Sequence, residues 1–374
     1  MATLSLGAVA GSNNTEPSVA WTLLSSSTLY STHAYYSSTS DLRWISDDGG
    51  KFMASTAWCW PGAGNLLWTN SNPKTNNTWD AVSNFGIASP NNGWFYDAGN
   101  DDYWFMRVKS PYDNPTNIHT DGTPTNYISR FFNDFTSINA FKQGSRLFFV
   151  GGTGGTDYSI TSFGIRYSDD AGVTHTTVTS ASTVGWDAPK VMVGDGGNNL
   201  LVIGNKGKYW YSTNNGTSWT GGQHTNAAGS QAVNAVYGNG IWMLLYSDNR
   251  LYRSTNLTSW TEYALSNGMS ASMYTGQGDV ADIQNKRQHS FFYDGSRFIC
   301  GGHTSYFHYS TDGTSWTAFP STLKNVLGTT FALIAYSPTL NYYLALENYE
   351  NYRPSNGYTQ YVAKKNAWTN DITI

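Results

Sequence analysis

Hydrophobic residues in this chain come in short runs, and each run is entered through a polar turn. The clearest case is Asp294-Gly295-Ser296-Arg297 followed by Phe298-Ile299-Cys300. The same order recurs at Asp48 to Ala54, Gly144 to Val150, Asp195 to Ile203 and Gly238 to Leu245. Two looser copies, Asp97 to Met106 and Ser337 to Leu346, bring the set to seven. Apolar runs of this length, bounded by Gly, Asn and Asp, predict buried β-strands that follow hairpin turns. None approaches the roughly 18 apolar residues of a membrane-crossing helix.

A second pattern alternates with the first. Tyr309-Ser310-Thr311-Asp312-Gly313-Thr314-Ser315-Trp316-Thr317 returns at Tyr211 to Thr220 and at Arg253 to Thr261, and more loosely at Tyr167 to His175. Ser and Asp/Asn side chains in such a stretch can bond the turn's own backbone. Gly supplies the φ > 0 position of a tight hairpin, and Trp brings apolar surface to the core as the next strand opens. On this reading Ser168, Asp170, Ser212, Asn214, Trp219, Ser254, Asn256, Trp260, Ser310, Asp312 and Trp316 are structural. Degraded copies are expected near Trp68 to Trp79, Ser129 to Ile138 and Tyr361 to Trp368. Each unit then reads strand, turn, strand, loop, strand, turn, strand.

The Ser-x-Asp/Asn turn with its Gly and following Trp resembles the Asp-box, or BNR repeat, of sialidase-like β-propellers. The Ser310 and Ser212 copies match best, the latter with one extra residue. The resemblance implies a ring of four-stranded antiparallel blades; it does not imply sialidase chemistry. Ser168, Ser212 and Ser254 stand 44 and 42 residues apart, a blade's length, and the step of 56 to Ser310 implies an insertion. We therefore expect an all-β chain with one propeller over 21–374, seven blades with six as the alternative, and an arm or closing segment over 1–20. Trp21-Thr22-Leu23-Leu24 reads as a fourth strand whose partners lie elsewhere, so the two ends of the chain should meet. A kelch propeller is the rival repeat, because Val150-Gly151-Gly152 and Cys300-Gly301-Gly302 carry its strand-then-Gly-Gly feature. No Trp-Asp pair recurs at repeat spacing, which argues against WD40.

Composition narrows the partners. Charged residues are 12% of the 374 and aromatics 16%, which excludes ordinary disorder and suits an all-β protein rich in turns. The net charge is −4 and the longest basic run is Lys364-Lys365, so a nucleic-acid surface is not expected. Nor is membrane insertion. Met1 to Gly11 lacks a basic n-region and reads as a mature terminus. Cys59 and Cys300 give no metal spacing and read as packed free thiols.

The loops between second and third strands vary most and hold many aromatics, and loops of that kind usually carry function. Candidate ligand- or partner-binding residues there are Trp58, Trp60, Tyr112, His119, Tyr158, His303, Tyr306, Tyr349, Tyr352 and Arg353. Such side chains suit stacking on sugar rings or packing against a protein. They suit equally the filling of the loops' own small cores.

Sialidases of the resembling family use an arginine triad, a Tyr nucleophile paired with Glu, an Asp acid/base, and a Phe/Tyr-Arg-Ile-Pro segment in the first blade. This chain lacks that segment; Leu42-Arg43-Trp44-Ile45 is a faint echo, and Glu347, Tyr349 and Glu350 are the nearest Tyr–Glu candidates. Two-carboxylate hydrolysis would draw on Asp113, Asp121, Asp157, Asp279 or Glu347, none singled out by spacing. No catalytic residue, cofactor or metal is assigned; Asp97 to Asp102 has the oxygen density of a calcium loop without EF-hand spacing.

The low charge and the Ser/Thr/Asn/Gly surface, on a propeller without catalytic signatures, look like virion structural proteins of bacteriophages that carry Asp-box propellers. The expectation is a non-enzymatic virion surface or tail-associated component. It would contact other particle proteins and a host surface glycan or receptor, and would be made in the host cytoplasm. A sialidase-like glycoside hydrolase and a stand-alone carbohydrate-binding lectin are the alternatives.

Overall fold

The computed structural model describes residues 22–24, 42–47, 51–56, 65–76, 80–85, 90–97, 102–107, 116–119, 124–127, 135–153, 162–178, 189–265, 290–301, 307–318, 331–348 and 367–370. The first strand among the described residues, β1 (Thr22–Leu24), pairs with none of its sequence neighbours. Four-stranded antiparallel sheets follow in chain order. The first holds β2 (Leu42–Asp47), β3 (Phe52–Thr56), β4 (Asn65–Asn70) and β5 (Asp80–Phe85). The second holds β6 (Pro90–Asp97), β7 (Asp102–Arg107), β8 (Thr116–His119) and β9 (Pro124–Tyr127). The third comprises β10 (Phe135–Gln143), β11 (Arg146–Thr153), β12 (Ser162–Ser168) and β13 (Thr176–Val178).

The fourth comprises β14 (Pro189–Gly194), β15 (Leu200–Gly204), β16 (Lys208–Ser212) and β17 (Thr220–Gln223). In the fifth are β18 (Ala232–Gly238), β19 (Ile241–Tyr246), β20 (Arg250–Ser254) and β21 (Thr261–Ala264). In the sixth are β22 (Ser290–Tyr293), β23 (Phe298–Gly301), β24 (Phe307–Ser310) and β25 (Thr317–Ala318). The seventh is assembled from both ends of the chain. Its strands β26 (Phe331–Ser337), β27 (Tyr342–Asn348) and β28 (Ala367–Asn370) are completed by β1, with Thr22 opposite Thr369 and Leu24 opposite Ala367.

The first strand of each sheet packs on the first strand of the next: β2 on β6, β6 on β10, β10 on β14, β14 on β18, β18 on β22, β22 on β26, and β26 back on β2. The described residues thus form a closed ring of seven blades, a β-propeller. Closure removes the long unpaired edges that open sheets must protect.

The apolar runs lie in the second strands because those strands bury both faces. Along β15, Leu200 and Val202 join a core with Phe148, Val150 and Ile165 of the third sheet. Leu201 and Ile203 join one with Trp242, Leu244 and Tyr246 of the fifth. Alternate residues of β19 divide the same way, with Met243 and Leu245 meeting Phe291, Phe298 and Cys300 of the sixth. The strand's period of two sends neighbours to opposite sheets, so every position must be apolar. Each such side chain contributes roughly 1.5–3 kcal/mol of burial. The fourth strands β17 and β21 are exposed at both ends and half-buried between, as outer strands should be.

Two turn assignments from the sequence are corrected. In the second sheet the third and fourth strands are β8 and β9, so the connection between them falls between His119 and Pro124 and not at Ser129 to Ile138. In the seventh, Trp368 and Thr369 sit in the third strand rather than opening a fourth. The ring is closed inside that sheet, so its fourth strand comes from the other end of the chain and needs no connecting turn. Residues 1–20 lie outside the described residues.

Candidate interaction surfaces

Antiparallel order places the turns between first and second strands and those between third and fourth strands on one face of the ring. On this face each Ser-x-Asp/Asn pair is occupied by its own turn. Ser212 Oγ donates to Asn214 Oδ1 (2.9 Å) and accepts the Gly216 amide (2.9 Å), while Asn214 Oδ1 also accepts the Ser218 amide (2.9 Å). Ser254 bonds Asn256 and the Leu257 amide, and Ser310 bonds Asp312 and the Gly313 amide. Ser168 bonds Asp170 and the Gly172 amide. The Thr174 hydroxyl and amide, then Ser168, hold the Asp170 carboxyl down to about 2. Burial pushes Asp312 up, but bonds from Ser315, Thr314 and Ser310 outweigh it and leave the carboxyl well below its ordinary range.

The first sheet uses asparagine for the same purpose. Asn70 Oδ1 accepts the Asn72 amide (2.9 Å) and Asn70 Nδ2 donates to the Asn76 carbonyl (2.7 Å), so the degraded copy near Trp68 to Trp79 is a stapled turn without its serine.

These turns wedge onto the preceding sheet. A Cβ on Gly216 (φ 78°) would overlap the Phe148 ring, and one on Gly313 (φ 72°) would meet Met243 Sδ at 2.8 Å. In the fifth sheet the corresponding residue is Leu257, at φ 65°, and its buried side chain enters the core around Leu201 and Ile203. Cations tie the wedges down: Arg146 Nη1 donates to the Asn215 carbonyl (2.6 Å) and Arg253 Nε to the Asp312 carbonyl (2.8 Å). Arg146 also forks onto Asp169 and lies 4.0 Å from the Tyr167 ring centroid. This face is an assembly device for the ring.

Between the fourth and fifth sheets lies a group with no counterpart in the sequence motifs. The His224 ring stacks between Tyr252 (centroids 3.7 Å, 12°) and Tyr209 (4.6 Å, 19°), with Trp260 and Tyr246 edge-on. Its Nε2 is buried without a hydrogen-bond partner. Burial lowers the imidazole pKa to about 4, against a weaker pull upward from Glu262. Glu262 accepts from the Tyr252 hydroxyl (3.0 Å) and Asn226 Nδ2 (2.8 Å) and is paired with Arg250. Tyr209, Tyr252 and Trp260 come from strands or turns already legible as a repeat. His224 comes from a connection between sheets and carries no signal of its own.

Besides Tyr252–Glu262, a tyrosine–carboxylate pair among the described residues is sealed from solvent. The Tyr343 hydroxyl bonds Asp294 Oδ2, Arg297 Nε lies 3.3 Å from the same oxygen, and Tyr343 and Asp294 are 1% and 5% exposed. Burial, then Asp294, raises the Tyr343 pKa far above its ordinary value. Asp294 Oδ1 also accepts the Ser296 and Arg297 amides, so the group is a turn staple joined to the next sheet.

The opposite face holds the loops between second and third strands. Trp58, Trp60, Tyr112, Tyr158, His303, Tyr306, Tyr349, Tyr352 and Arg353 fall in segments outside the described residues, each bracketed by the second and third strands of its sheet. His119 does not belong with them. It ends β8 opposite Asp102, at the turn face, because 116–119 and 124–127 are strands where the sequence placed His119 in a loop.

No protein-family model matches the chain, and no curated protein does. Solved structures match in fold. BBS1N in complex with ARL6DN aligns with TM-score 0.55 at 11% identity, over 95% of this chain and 98% of that one. YCF48 bound to a D1 peptide aligns at 0.53 and 10%, over 90% and 93%. The WD40 β-propeller domain of Doa1 aligns at 0.53 and 7%, over 94% and 97%. At these identities the likeness is to the propeller architecture alone.

Proposed function

We propose that the chain is a non-enzymatic propeller scaffold of the Asp-box type whose varied-loop rim contacts a partner, as a virion surface or tail-associated component. The observation that carries the non-catalytic part is the fate of the polar groups on the turn face. Asp170, Asn214, Asn256 and Asp312 bond their own turns; of the tyrosine–carboxylate pairs, Tyr343–Asp294 is buried and Tyr252–Glu262 is tied to Arg250 and Asn226. Propellers of the same fold have been seen with a bound peptide, as in YCF48, and in complex with ARL6DN, as in BBS1N. A protein partner is therefore the first reading of the rim, and a host glycan or receptor the second occupant of the same aromatic loops. The particle assignment rests on low charge and on the resemblance of the turns to Asp-box propellers in phage structural proteins.

The test is immunogold labelling of particles purified from a lysate of cells carrying the gene, run beside an assay of the purified chain on fluorogenic glycosides. Gold on the particles with no glycoside turnover supports the reading. Unlabelled particles overturn the location, and turnover overturns the non-catalytic role. A Trp58→Ala/Trp60→Ala variant that assembles but no longer binds host cells would assign attachment to the rim.

A further inference from the structure

Two Asn-Gly pairs on the turn face have nearly the same backbone and opposite surroundings. Asn215 and Gly216 lie at φ 51° and 78°, and Asn239 and Gly240 at φ 48° and 73°. Such left-handed geometry is what selects Asn-Gly at a tight turn. Gly216 is buried, its amide donates to Ser212 Oγ (2.9 Å), and its Cα lies against the Phe148 ring. Asn215 is held as well: its amide donates to the Asn198 carbonyl (2.8 Å), its Oδ1 accepts from Gln143 (3.4 Å), and its carbonyl accepts Arg146. Asn239 and Gly240 form the exposed tip of the β18–β19 hairpin, and a Cβ added at Gly240 would meet nothing within 4 Å beyond its chain neighbours.

We propose that Asn239 is a site of spontaneous modification, by deamidation through a cyclic imide, and that Asn215 is protected from the same reaction by the fold. The Gly240 amide nitrogen attacks Asn239 Cγ, the new C–N bond closes a five-membered succinimide, and the side-chain nitrogen leaves as ammonia. Water then opens the ring at either carbonyl, giving aspartate or isoaspartate; the net change is one water consumed and one ammonia released. Glycine favours the attack because it puts no side chain beside the nucleophile. At Gly216 the same nitrogen is a hydrogen-bond donor in a buried site, so the staple and the wedge must open before it can react. Each conversion at Asn239 adds a negative charge to the hairpin tip. The isoaspartate product also lengthens the backbone by one carbon beside the Gly238–Ile241 pair, and a Cβ at Gly238 already has no room beside Tyr293.

The experiment is timed incubation of the full chain at mildly alkaline pH, with proteolytic peptide mapping by mass spectrometry and enzymatic detection of isoaspartate. In the folded protein the Asn239 peptide should convert at least about tenfold faster than the Asn215 peptide, the factor expected when one site must first lose a buried hydrogen bond. In concentrated urea the two should converge. Equal rates in the folded protein, or a folded Asn239 peptide unchanged while its unfolded counterpart converts, would overturn the proposal. A Ser212→Ala variant, which keeps the sequence at both pairs, should raise the Asn215 rate and leave Asn239 as it was. An unchanged Asn215 rate in that variant would refute the protective role of the staple.

Discussion

The Tyr342 hydroxyl donates to Asn72 Oδ1 across 3.2 Å, joining residues 270 positions apart where the seventh sheet meets the first. The Tyr342 ring also packs tilted at 35° against Phe52 (centroids 5.5 Å) and lies 4.7 Å beneath Lys74 Nζ. A second strand thus reaches the outer turn of the following sheet, as Arg146 does between the third and fourth. At this seam the contact joins the two ends of the ring. Tyr342→Phe should lower stability by about 0.5–1.5 kcal/mol and Tyr342→Ala by about 3–5 kcal/mol. Urea denaturation reads both. A Tyr342→Phe/Asn72→Ala double variant whose losses simply add would show that the two groups are not coupled.

The turn staples give a second prediction. Ser212 is 1% exposed and its hydroxyl satisfies the buried Gly216 amide. Ser212→Ala leaves that amide without a partner, which costs about 1–3 kcal/mol. Asn214→Ala removes bonds to the exposed Ser218, where water can replace the lost partner, and should cost less. Thermal melts that rank the two variants the other way would refute this account of the staple.

Much of this was readable beforehand, for definite reasons. The apolar runs at Leu200 to Ile203 and Ile241 to Leu245 are continuous because each strand meets two sheets, and that pattern is visible in one dimension. The stapled turns are visible because Ser, Asp and Gly have few substitutes there. Leu257 was not legible as a wedge, since a leucine at φ 65° breaks the rule that reserves such positions for glycine. Its buried side chain in the neighbouring sheet's core is what offsets that strain. Asn70 stands where serine is expected, so the first sheet's staple was visible only as a degraded copy near Trp68 to Trp79. His119 was misplaced because short strands of polar residues, such as Thr-Asn-Ile-His, look like loop.

The wedge residues predict losses of different origin for two substitutions. Gly216→Ala adds a methyl group at a positive φ and into the Phe148 ring, so it should destabilise by more than the usual cost of backbone strain. Leu257→Gly relieves backbone strain but empties part of the core between the fourth and fifth sheets. The cavity should dominate, with a loss of about 2–5 kcal/mol. A Leu257→Gly protein as stable as the parent would mean that the backbone alone sets this turn.

His224 predicts a pH dependence. Its pKa falls from 6.5 to about 4 on folding, chiefly through burial, so between those values the unfolded chain binds a proton that the native ring refuses. Stability therefore decreases as pH falls from about 6.5 towards 4, by as much as roughly 3 kcal/mol from this group. Glu262, Arg250, Tyr209, Tyr252 and Tyr246 face the ring or its partners. Of these only Glu262 titrates near the window, and its lowered pKa places its own loss at the acid end. His224→Phe keeps an aromatic ring between Tyr209 and Tyr252 and removes the titration. Urea midpoints of the parent should fall between pH 6.5 and 5, and those of the variant should fall less over the same range. Parallel slopes would mean that another group governs the acid limb, and that the sandwich stabilises the fourth and fifth sheets without making their union sensitive to protons.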